Sequence, residues 1–109
     1  LDFVNLATAL DRLARESRTA QNRRDPRLQQ LLGSLRRALD DPNSLKRPRH
    51  ISNTLWALSQ LQIADPPLLG SIATVALASM DQFEPHSLSS TACAMAKLKW
   101  QPSPLWEAI

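Results

Sequence analysis

An eleven-residue run, Ile51–Leu61 (ISNTLWALSQL), returns 37 residues later as Leu88–Leu98 (LSSTACAMAKL). The offset extends past the run, since Pro48 matches Pro85, Pro67 matches Pro104, Leu68 matches Leu105 and Ile72 matches Ile109. Leu31-Leu32-Gly33-Ser34 and Leu68-Leu69-Gly70-Ser71 are identical at the same spacing. A period between 20 and 50 residues marks a repeat array, in which each unit hides its apolar face only by stacking on its neighbour. A third copy lies upstream: Phe3–Leu13 overlays Ile51–Leu61 at an offset of 48, with Asn5 on Asn53 and Leu10 on Leu58. The extra 11 residues are placed in the polar, cationic stretch 16–24, read as an extended loop between helices.

Within each unit the apolar spacing is helical. Ile51, Leu55, Leu58 and Leu61 fall on one face, and Leu68, Leu69, Ile72, Ala73, Val75, Ala76 and Met80 form a second, broader one that leaves Ser71, Thr74 and Ala78 opposite. Asp25-Pro26, Asp65-Pro66-Pro67 and Ser103-Pro104 are start signals: aspartate or serine can cap the first turn, and proline is tolerated there because its missing N–H has no partner to lose. Helices are expected at about 3–16, 26–41, 49–62, 66–80, 86–99 and from 103 onward. No stretch alternates as a strand does. The expectation is an all-α chain, an α-solenoid of antiparallel helix hairpins with repeat parts at about 1–25, 26–64, 65–101 and 102–109. Opening inside one helix and ending inside another, it reads as a piece of a longer array.

Catalytic and metal patterns are missing. The two glycines, Gly33 and Gly70, occupy matched helical positions, so no glycine-rich phosphate loop exists. His50 and His86 stand 36 apart beside a single cysteine, and no zinc spacing is present. Asp40-Asp41 reads as a helix end. An enzyme is not expected, nor a cofactor. No apolar run is long enough to span a bilayer. Cys93 is expected to be a small buried helix residue, and Trp56, Trp100 and Trp106 to pack between units.

Charge is distributed unevenly. Residues 1–50 hold 11 of the 13 basic side chains and 6 of the 10 acids, a balance of +5, whereas residues 51–109 come to −2. Arginine predominates, and guanidinium both forks onto phosphate and stacks on bases. Such a cluster suits a polyanion, or is simply a solvated surface.

Pro48–Leu61 (PRHISNTLWALSQL) resembles the second helix of the octotricopeptide repeat, P-Q-E-L-A-N-T-L-W-A-L-A-K-L, in its proline, its Asn-Thr-Leu-Trp-Ala-Leu block and its last leucine. Pro85–Leu98 resembles a degenerate copy, with Ser90 in place of the asparagine and Cys93 in place of the tryptophan; in the first copy Thr8 takes the tryptophan position. The preceding helices lack the family's aromatic start, and no RAP domain, which follows such repeats in some members, is present in this chain. What the resemblance implies is a superhelix of helical hairpins that binds single-stranded RNA in a chloroplast or mitochondrion and serves RNA processing, stability or translation, with about one nucleotide addressed per repeat. On that basis Ser34, Ser71 and Thr74, with Arg37, are the candidate base-facing row. Arg27, Arg36, Arg37 and Lys46 are the candidate phosphate contacts. Asn5 and Asn53 are assigned instead to bonding main chain between units. The alternative is a protein-binding scaffold of the TPR or HEAT kind.

Overall fold

The computed structural model describes residues 2–16, 26–43 and 45–100. Among them are five α-helices: α1 (Phe3–Glu16), α2 (Pro26–Asp40), α3 (Pro48–Leu61), α4 (Pro66–Ala78) and α5 (Pro85–Lys97), with one 3₁₀ turn at Met80–Gln82. No strand occurs among the described residues, so the all-α expectation holds. The expected loop at 16–24 and the sixth helix lie almost wholly or wholly outside the described residues, as does Trp106.

Helices with matching sequence pack side by side. α1 lies on α3, α3 on α5, and α2 on α4, while α1 touches α2 and α3 touches α4 across the two rows. One apolar cluster joins both rows, including the fully buried Phe3, Leu10, Leu28, Leu35, Ile51, Leu55, Leu58, Leu68, Ile72 and Met95. Each such side chain contributes roughly 1.5–3 kcal/mol by leaving water. Leu58 and Met95, matched at the 37-residue offset, therefore meet in a common core.

Helix ends also repeat. α3 stops where Gln62 turns left-handed and the Ile63 N–H reaches back to the Leu58 carbonyl at 2.9 Å. α5 stops where Lys99 does the same and the Trp100 N–H reaches the Met95 carbonyl at 2.9 Å. These six-to-one bonds, with a shorter one from the Gln62 N–H to Ser59 (3.3 Å) and from the Lys99 N–H to Ala96 (3.1 Å), form the Schellman closure that satisfies the last carbonyls.

Several expectations need correction. Asp65 precedes α4 as foreseen, but its carboxylate makes no capping bond; its main-chain carbonyl accepts from the Leu69 N–H at 2.9 Å. α4 ends at Ala78, two residues early, because the Ser79 hydroxyl bonds back to the Val75 carbonyl at 2.9 Å and the chain tightens into the 3₁₀ turn that carries buried Phe83 inward. Cys93 is exposed rather than buried. α5 buries Thr91, Ala94 and Met95. Position 93 is two residues from both 91 and 95, about 200° round the helix from each, and so faces away from α3. Trp56, its counterpart in α3, is half-buried against the core and carries the Arg15 guanidinium 4.7 Å from its ring centre, a cation–π contact from α1. Trp100 also packs half-buried against the core.

Candidate nucleic-acid interface

The base-facing candidates fall on the outer stripes of α2 and α4. Residues three and four apart share a helix face, so Ser34, Arg37 and Ala38 form one stripe and Ser71, Thr74 and Val75 its counterpart 37 residues on. Each stripe lines its own depression. The first, about 560 Å³, is completed by Asp2 and Leu6 at the start of α1 and by Asp41 and Asn43 after α2. The second, about 460 Å³, is completed by Leu39 and Asp40 of α2 and by Pro67 and Gly70 of α4.

Hydrogen bonding limits what these groups can offer. An Arg37 Nη donates to the Ser34 hydroxyl at 3.1 Å, which leaves the serine proton and most of the guanidinium donors free. Thr74 spends its proton on the Gly70 carbonyl at 3.1 Å and can only accept. The Ser71 hydroxyl, half-buried, makes no hydrogen bond among the described residues and has both functions open.

The phosphate candidates are less well assembled. Arg36 and Arg27 are exposed on α2, Arg27 in its first turn, and neither lines the two depressions. Lys46 is half-buried and its Nζ donates to the Asp41 carbonyl, so it is engaged in closing the α2–α3 connection. Only Arg37 meets the base-facing row. Carboxylates from Asp2 and Asp41 flank it, and Asp40 alone supplies formal charge to the second depression, so both are mildly anionic.

A third depression escaped the sequence reading. It measures about 770 Å³ and lies where α3 and α5 begin, lined by Leu45, Arg47, Pro48, Arg49, Ser52 and Asn53 on one side and Gln82, Glu84, His86 and Ser87 on the other. Its floor is tied by the Ser52 hydroxyl, which donates to the Ser87 carbonyl at 3.4 Å. That bond is the inter-unit link assigned to the asparagines. The Asn53 and Asn5 side chains make no hydrogen bond among the described residues; Asn5 donates its main-chain N–H to the Asp2 carboxylate at 2.9 Å. The signal was available: Pro48 and Pro85 open equivalent helices, so two equivalent helices in one row start side by side.

His50, half-buried at this end of α3, has its pKa lowered below the ordinary 6.5, first by burial and then by the charges of Arg49 and Arg47, with Asp2 opposing. No group of three or more His, Cys, Asp or Glu side chains able to hold a metal occurs among the described residues. Nor is any described helix long and apolar enough to cross a membrane.

No family model matches the chain. Searches of curated proteins and of solved structures likewise find no match.

Proposed function

We propose that the chain binds single-stranded RNA as a stacked array of helix pairs, an α-solenoid, with α2 and α4 presenting one short polar stripe per unit. One observation carries the reading: equivalent residues 37 apart, Ser34/Arg37 and Ser71/Thr74, line successive depressions on neighbouring helices. Unstacked bases offer donors and acceptors on their edges, and a row of hydroxyls and guanidinium at unit spacing can address them one after another. The likeness of Pro48–Leu61 to the octotricopeptide repeat adds the cellular setting, processing, stabilisation or translation of transcripts in a chloroplast or mitochondrion. Two stripes contact about two nucleotides, so affinity is modest.

A peptide-binding scaffold is the second reading, favoured by Asp2, Asp40 and Asp41 around the same depressions, where a mildly anionic lining suits a polar peptide better than a phosphate chain. Replacing Arg36 and Arg37 together by alanine separates the two. On the RNA reading, affinity falls several-fold and to a similar degree for every RNA sequence, because charge rather than base identity is removed; unchanged RNA affinity takes both residues out of the interface.

A further inference from the structure

The depression between the starts of α3 and α5 is the most cationic of the three described. Arg47 and Arg49 outweigh Glu84, whereas the depressions beside α2 and α4 carry an excess of carboxylate. Both guanidiniums are exposed, and neither forms an ion pair or a hydrogen bond among the described residues. Glu84 shares the cavity without neutralising them. Two arginines separated by one residue, held at a proline-fixed helix start, keep their charges together at a Coulomb cost that an incoming dianion or diester would relieve.

The surrounding groups are donors. Asn53, half-buried with an unbonded amide, Gln82 and the His86 ring stand round the same space. The Ser52–Ser87 bond fixes the two helix starts relative to each other, so the donors are presented by a braced floor rather than by a loose tail. His50, beside the cavity, has its pKa lowered chiefly by burial, with the charges of Arg49 and Arg47 adding to the effect and Asp2 opposing it.

We infer that this cavity is a phosphate-binding site, in which Arg47 and Arg49 hold the phosphate oxygens and Asn53 and His86 orient it, the phosphate being a diester of the bound RNA strand. The assignment rests on the RNA reading for its source, but the oxyanion chemistry is independent of it. It places strand contacts on the α3/α5 row as well as on α2 and α4.

The test uses the whole chain and four probes: a ten-nucleotide oligouridylate, the same strand with an uncharged methylphosphonate backbone, inorganic phosphate, and an oligoglutamate peptide. Arg47→Ala with Arg49→Ala is expected to weaken oligouridylate binding about tenfold at low salt and to reduce the salt slope by roughly 1 to 1.5, at about 0.7 per phosphate lost. Glu84→Gln, a conservative change at an exposed site that also serves should the double variant fail to fold, is expected to strengthen binding two- to threefold in order of magnitude. The uncharged strand is expected to gain nothing from Glu84→Gln.

Unchanged affinity and slope in the double variant, with loss in an Arg36→Ala, Arg37→Ala variant, overturns the site and leaves the RNA reading standing. Binding of inorganic phosphate that depends on Arg47 and Arg49, with no RNA binding, upholds the site, makes free phosphate its source and overturns the RNA reading. Arginine-dependent binding of oligoglutamate in preference to both phosphate probes overturns the assignment in favour of an acidic peptide.

Discussion

Gln62 and Lys99, 37 residues apart, are the two non-glycine residues with positive φ among the described residues, at 56° and 54°. A backbone irregularity that costs an L-residue about 1 kcal/mol recurs at the sequence period, each time closing a helix of the same row. The repetition therefore reaches the main chain and not only the side-chain pattern.

Lys99 is exposed, so its conformation can be tested without touching the core. Lys99→Gly is expected to raise stability by roughly 0.5–1 kcal/mol, since glycine enters the left-handed region without penalty, and Lys99→Val to lower it by at least as much. Denaturant melts of the two variants check this; equal stabilities would mean that α5 does not end in a left-handed residue.

Thr54 and Thr91 are both fully buried and matched at 37, yet only Thr54 is satisfied, donating to the His50 carbonyl at 2.7 Å. The carbonyl that Thr91 would use, on Ser87, instead accepts from Ser52, and the Thr91 hydroxyl has no partner among the described residues. A buried hydroxyl without a bond costs on the order of 1–3 kcal/mol. Thr91→Val is accordingly expected to be neutral or stabilising by up to about 1 kcal/mol, while Thr54→Val destabilises by about 1 kcal/mol. Thermal unfolding of the pair reads the difference, and equal losses would contradict it.

Gly70 sits within α4, and a methyl group there would meet nothing within 4 Å. Gly70→Ala should therefore stabilise the helix by roughly 0.5–1 kcal/mol. Gly70 also lines the depression with Ser71 and Thr74, where added bulk would obstruct a base. Higher stability joined to weaker RNA binding is the expected result; a gain in both would remove that depression from the interface.

The lowered pKa of His50 makes stability depend on pH. Folding disfavours the charged ring, chiefly through burial and then through Arg49 and Arg47. The unfolded chain consequently binds more protons below its ordinary value of 6.5, and the stabilisation present above that pH is lost as pH falls through the folded-state value. Urea midpoints measured from pH 8 to pH 5 should decline below about 6.5 in the native chain. His50→Gln should flatten that part of the profile, and an unchanged decline would assign it elsewhere.

Helix content and the pairing of like helices were legible because both follow from periodicity: the 37-residue match predicts that Leu58 and Met95 do the same job, and both are buried in one core. The expected starts of α1, α2 and α4 agree with the structure, and those of α3 and α5 each fall one residue earlier, at Pro48 and Pro85. Facing direction was harder. The burial habit of cysteine points Cys93 inward, but its angular distance from Met95 on α5 turns it to solvent. The asparagine role passed to Ser52 because one residue's rotation aims its hydroxyl at α5. Arg47 and Arg49 were legible as charge, but their cavity depends on two helix starts coming together, a tertiary fact that spacing does not contain.

A polyanion lying along the repeated units is held by charge, and ionic strength tests that directly. Binding of the whole chain to a ten-nucleotide oligouridylate, titrated between about 50 and 200 mM salt, is predicted to weaken steadily, with a log–log slope of at least about −2, corresponding to some three phosphates at 0.7 each. A flat profile, or no binding at the lowest salt, would contradict it.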